Sequence, residues 1–229
     1  MNKANMLLAF LQKNCRVTEP LPSSEGEQFD FYRHFINKLP KECINESFLK
    51  IEDMFLTENL KQKTIISVEK QIESMKLCDG EACEFSADAV LSFLNEGNDK
   101  SIYLYGGTRL KNAIAASLND KDMSVTKANN VHYSGVISAV LPSVDTKLTS
   151  VILGKITEKY AFALDIARDN KLKALVLCLP NVQNTILCSR VADAIIGTIK
   201  QHEYFKNVKL VLLAPTNSVL SVYKSKLGV

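Results

Sequence analysis

The sequence predicts an α/β protein: a mostly parallel sheet covered by helices on both faces, preceded by a helical extension. Three observations predict it. Apolar residues in roughly the first sixty positions recur at spacings of three and four, the period of a helix with one buried face. From about residue 75 short apolar runs alternate with helical patterns. Those runs are apolar at successive positions, as strands buried on both faces must be. The division falls near residue 70, with 1–70 as the extension packed on a core of 71–229.

The elements follow in order. Lys3 to Gln12 reads as a first helix; Gln12, Lys13 and Asn14 follow its apolar patch where a signal peptide would carry small residues. After the Pro20–Gly26 loop, Phe29, Tyr32, Phe35, Ile36 and Leu39 form one face of a second helix, and Pro40 stops it. Phe48, Ile51 and Phe55, with Leu56 and Leu60 one stripe over, make a third. In the core, Ala87–Leu94 reads as a buried strand and Leu110–Leu118 as a helix. Gly135–Leu141 is a strand ended by Pro142, and Thr149–Asn170 is a long helix. Lys173–Leu179 is a continuous apolar strand closed by Pro180. A helix from Ile186 to His202, a strand from Val208 to Leu213 and a helix around Val219–Leu227 complete the chain. No internal repeat or low-complexity tract interrupts this order.

Composition excludes several classes. Of 229 residues, 46% are apolar and 23% charged, and no apolar run approaches the roughly 20 residues of a membrane helix. The expectation is a cytoplasmic protein without a membrane partner. Six cysteines, Cys15, Cys43, Cys78, Cys83, Cys178 and Cys188, form no Cys-x-x-Cys pair and read as reduced thiols. His34, His132 and His202 lie far apart and offer no ligand-spaced pair. Net charge is +3, but residues 151–229 carry 11 basic and 5 acidic side chains. That excess fits solvated lysines on helix faces; the tyrosines and phenylalanines show no stacking pattern, so nucleic acid is an unlikely partner.

In a sheet of this kind ligands sit beyond the carboxyl ends of the strands, which directs attention to the loops after Leu94, Leu141 and Leu179. The stretch Asn95–Ile114 draws further notice. Gly106-Gly107 stands at an apparent strand-to-helix junction, where bare backbone can approach a phosphate.

Several segments together resemble the macrodomain family, in particular its zinc-dependent ADP-ribosyl hydrolase branch with a helical N-terminal extension. They are "EQFDFYRHFINKLP" and "ESFLKIEDMFLTENL" in the extension, then "DGEACEFSADAVLSFLN", "GVISAVLP" and "EKYAFALDIARDNKLKALVLCLP" in the core. The resemblance implies a three-layer α/β/α macrodomain core with a mixed, mostly parallel sheet. It implies ADP-ribose or a related nucleotide as ligand, and an ADP-ribosylated protein as a possible partner. It places the family's adenine-binding turn on Gly80-Glu81, the asparagines of the strand end on Ser92 and Asn95, and a phosphate loop on Asn181, Gln183 and Asn184. Asn95 would lie near the distal ribose and is the catalytic candidate. Gly106, Gly107 and Arg109 would face the diphosphate.

The departures are as informative. The Cys, His and Cys that hold zinc in this branch fall on Ile102, Gly107 and Arg109, so no zinc cofactor is expected. Val182 and Thr185 replace the phosphate-loop glycines, and β-branched residues resist positive φ. For Asn181, Gln183 and Asn184 the residues by themselves favour capping of the next helix. Glu81 and Asp88 are the nearest acids, and nothing in the sequence tunes them. The reading that follows is a divergent macrodomain, a weakened or inactive hydrolase that still binds ADP-ribose or a related nucleotide. The alternatives are an active hydrolase that removes mono-ADP-ribose from proteins, and a protein-interaction module without a nucleotide.

Overall fold

The computed structural model describes residues 3–15, 17–19, 22, 24–94, 100–118, 121–128, 130–144 and 148–229. Three helices open the chain: α1 (Lys3–Cys15), α2 (Glu25–Ile36) and α3 (Glu46–Lys61). Ser24 caps α2 in a reciprocal box with Glu27, and Asn45 caps α3 by accepting from the Ser47 and Phe48 amides. Their apolar faces meet in a core of Leu7, Leu8, Leu11, Tyr32, Phe48, Phe55 and Leu56.

The remaining chain builds the sheet. Its strands are β1 (Ile66–Ser67), β2 (Met75–Cys78), β3 (Phe85–Phe93), β4 (Met123–Lys127), β5 (Tyr133–Ala139), β6 (Ala174–Cys178) and β7 (Lys209–Leu213). The order is β2-β7-β6-β3-β5-β4, with β1 paired to the start of β3. Every pairing is parallel except β4 with β5. Helix α6 (Ser150–Asp169), α7 (Thr185–Gln201) and α8 (Asn217–Leu227) pack in succession, α6 on α7 and α7 on α8. Both crossovers, β5 to β6 and β6 to β7, step in the same direction along the sheet, so right-handed connections put α6 and α7 on one face. The short α4 (Val68–Gln71) packs against β3, β6 and β7, and α5 (Lys100–Leu118) packs against β4. Leu91, Leu177 and Leu212 stand in register across β3, β6 and β7, all fully buried.

The expected strands are present with ends shifted by a residue or two, within the usual uncertainty of such boundaries. The helix expected from Leu110 differs more. It begins at Lys100 and runs through Gly106, breaks at Gly107, and resumes to Leu118. The two glycines therefore join two helical segments rather than forming an open strand-to-helix loop.

Candidate functional site

Five strands, β2, β7, β6, β3 and β5, point the same way, so their carboxyl ends share one edge of the sheet. That edge gathers Gly80-Glu81 after β2, Ser92 at the end of β3, and Asn181–Asn184 after β6. Asn95, the catalytic candidate, lies outside the described residues.

Gly80 sits at φ +113°, where L side chains are strained, and an added Cβ would come within 2.8 Å of Glu84 Oε2. The turn is tight because the Glu81 amide donates to that same oxygen at 3.0 Å. The Glu81 carboxylate accepts from Lys63 Nζ at 2.8 Å, just beyond the end of α3. This bond holds the carboxyl below its ordinary range. Ser92 is fully buried and shares a hydrogen bond with the Tyr103 hydroxyl of α5. It pairs in register with Ser138, which is also buried. Ser92 thus ties the end of the central strand to the first half of α5.

The loop after β6 is anchored from within. Val182 is buried in the main core, so its side chain occupies space that a glycine would leave open. Asn184 caps α7, its Oδ1 accepting from the Ile186 and Leu187 amides at 3.0 and 3.1 Å. Gln183 is exposed and Asn181 half-buried. The carboxamide oxygen of Asn184 is therefore already engaged at the helix start.

Gly107 and Arg109 face α3. Gly107 has φ 65° and ψ −167°, a region essentially reserved for glycine. A Cβ there would lie 2.8 Å from Leu56 Cδ1 and 3.2 Å from Glu52 Oε2. At Gly106 a Cβ would meet the Leu110 side chain. Arg109 donates from Nε to Asp53 Oδ2 at 2.8 Å and from Nη2 to Glu46 Oε1 at 2.6 Å. These two carboxylates raise its pKa still further, and the guanidinium serves the α3–α5 interface. Asp88, the other acid considered, accepts from the Lys173 and Ala174 amides at the start of β6, the opposite end of the sheet from the carboxyl edge.

One residue at this interface escaped the sequence reading. Glu52 is fully buried, and its carboxylate accepts from Tyr32 OH at 2.8 Å, the Thr108 amide at 3.0 Å and Thr108 Oγ1 at 2.9 Å. It caps the second segment of α5 from a neighbouring helix. Burial pushes its pKa up against these three bonds, which favour the charged form. The signal was present: Glu52 interrupts the apolar stripe of Phe48, Phe55 and Leu56.

No family model matches the chain. The macrodomain of Oceanobacillus iheyensis superposes with a TM-score of 0.57 at 16% identity, covering 67% of this chain and 90% of that one. The Trypanosoma brucei macrodomain, solved in complex with ADP, superposes with a TM-score of 0.58 at 14% identity, covering 100% of this chain and 97% of that one. The chain has the macrodomain fold. A protein-ADP-ribose hydrolase of Treponema medium is 22% identical over 183 residues, 69% of this chain and 70% of that protein, a distant homology.

The positions that hold zinc in the resembled macrodomain branch carry side chains of another kind in this chain. Ile102 is a fully buried alkyl side chain of the main core. Gly107 has no side chain and is wedged against α3. Arg109 is a cation bonded to two carboxylates. None of the three donates an electron pair to a metal, and they do not fit the ion. Among the described residues no three His, Cys, Asp or Glu side chains converge as a metal-binding group.

Proposed function

We propose that this macrodomain binds ADP-ribose or a related nucleotide at the carboxyl edge of its sheet, without zinc, and with little or no hydrolytic turnover. One observation carries the reading: the scaffold is whole, while the residues standing at the metal positions serve the core and the α3–α5 interface. The distant homology to a protein-ADP-ribose hydrolase supports the choice of ligand. In this reading Glu81 accepts from the adenine amino group, Asn95 borders the distal ribose with the buried Ser92 behind it, and the segment Asn181–Asn184 lies along the diphosphate. Gly106, Gly107 and Arg109 reach the ligand only through the α5 segment they help to shape. A bound ADP-ribosylated protein would present its nucleotide at this edge.

Calorimetry with ADP-ribose on metal-free protein tests the binding. Micromolar or tighter affinity, about −8 kcal/mol, is expected. In parallel, release of ADP-ribose from a mono-ADP-ribosylated protein is followed with and without added zinc. Turnover that requires zinc would overturn the proposal. Absence of binding would favour a protein-interaction role.

A further inference from the structure

Two of the six thiols meet. Cys15 ends α1 and is half-buried. Cys43 closes the 3-10 turn Lys41–Cys43 between α2 and α3 and is buried. The Cys43 thiol donates to the carbonyl oxygen of Asn14 at 3.4 Å. That oxygen belongs to the peptide bond that leads into Cys15, so Cys43 Sγ stands within roughly 6 Å of the Cys15 Cα. The Cys15 side chain is itself hydrogen-bonded to the Cys43 side chain, which makes the two sulfurs neighbours. The turn that carries Cys43 leads into the interface that grips α5. The Asn45 amide donates to the Cys43 carbonyl at 3.1 Å, and Asn45 caps α3. Helix α3 in turn supplies Glu52 to Thr108, and Glu46 and Asp53 to Arg109. A covalent link between the two sulfurs would fasten the end of α1 to the start of α3, with α2 inside the ring.

We propose that Cys15 and Cys43 are a reversible redox couple: a disulfide forms between them and staples the N-terminal helices when a small-molecule disulfide, such as oxidised glutathione, is in excess. The thiolate of Cys15, the more exposed of the two, attacks one glutathione sulfur. The glutathione S–S bond breaks, and the departing thiolate takes up a proton. The Cys43 thiol gives its proton to solvent, and its sulfur attacks the Cys15 sulfur of the mixed disulfide and expels the second glutathione. Two protein thiols are oxidised, and one glutathione disulfide is reduced to two thiols. The ring from residue 15 to residue 43 restricts the unfolded chain, so the oxidised form is the more stable one. The couple is slow as well as reversible. Burial, and then the neighbouring Cys43, pushes the Cys15 thiol up. Its thiolate is scarce near neutral pH, and exchange quickens as pH rises. Both thiols belong to the N-terminal helices and their connection, not to the strand ends proposed to hold a nucleotide, so the couple stands independently of that reading.

The test incubates the full chain in glutathione buffers from fully reduced to mostly oxidised, blocks remaining thiols by alkylation, and digests without reduction. A Cys15 peptide joined to a Cys43 peptide, two hydrogens lighter than the separate thiol peptides together, should appear as the buffer becomes oxidising and vanish with dithiothreitol. The melting temperature should rise by several degrees in step with it. Its initial rate of formation should grow about tenfold per pH unit below the Cys15 pKa. Cys15→Ser should lose both the linked peptide and the melting shift. Cys43→Ser should stop at glutathione on Cys15. Melting curves of the reduced proteins establish that each variant is folded. A folded wild type in which both thiols remain open to alkylation in the oxidising buffer would overturn the proposal. So would a bridge from either residue to another cysteine or to a second chain, or a Cys15–Cys43 bridge that lowers the melting temperature.

Discussion

Gly107 shows how a residue's role depends on what it touches. Two adjacent glycines at an apparent strand-to-helix junction suggest a phosphate cradle. Here the backbone conformation is indeed one that only glycine tolerates, but the space beside it is filled by Leu56 and Glu52. Gly107→Ala should cost about 1–3 kcal/mol from backbone strain alone, and the Leu56 contact adds to it; the urea midpoint measures this. Glu52 makes the companion case. Glu52→Ala strands the Tyr32 hydroxyl and both donors of Thr108, and should cost about 3 kcal/mol or more. Its pH dependence has a definite sign. Burial raises the folded pKa above the unfolded one. The folded state therefore holds the proton more tightly, and the contribution of Glu52 is fully present below the unfolded pKa and declines as pH rises through the folded one. The stability of Glu52→Gln relative to the wild type should therefore improve with rising pH. Denaturant titrations of both proteins between pH 4 and pH 8 on the order of one unit apart would show it; a constant difference would refute it.

At the scale of elements, α5 and the loop after β6 carry the departures from expectation. Periodicity placed a helix at Leu110–Leu118, and that segment is helical. The preceding turns, 100–106, were not legible. Two glycines and no clear apolar period argue against a helix, and the segment is stabilised by partners distant in sequence: Ser92 on Tyr103 and the Cys83 amide on Ser101. The β6 loop was more legible. An asparagine directly before an apolar helix predicts a cap, and Asn184 caps α7. Asn184→Ala should lower stability by about 1 kcal/mol in thermal or urea unfolding. The short strands β2 and β4 are not legible in the sequence because, unlike the continuous apolar runs of β6 and β7, their four or five residues mix polar and apolar side chains.

For the whole molecule the central issue is how the three N-terminal helices relate to the sheet. Their buried contacts, Glu52 and Leu56 against the α5 joint and Phe29 against Tyr105, run directly into α5, which packs on the sheet. Helices and sheet should then unfold in one transition, with near- and far-ultraviolet dichroism coinciding; two separated transitions would show that the contacts are weak. Among the described residues no helix is long and apolar enough to cross a membrane. What the sequence determined by itself was the order of the main helices and of the four central strands, and the mostly parallel character of their sheet, because these follow from local periodicity and from where proline and capping residues stand. Only the tertiary structure decided that Arg109 answers Asp53 and Glu46, that Glu52 caps another helix, and that Lys63 meets Glu81. Those pairs join residues 18 to 63 positions apart. Charge and hydrogen bonding act through space over a few ångströms, and no period along the chain records which partner the fold will bring within reach.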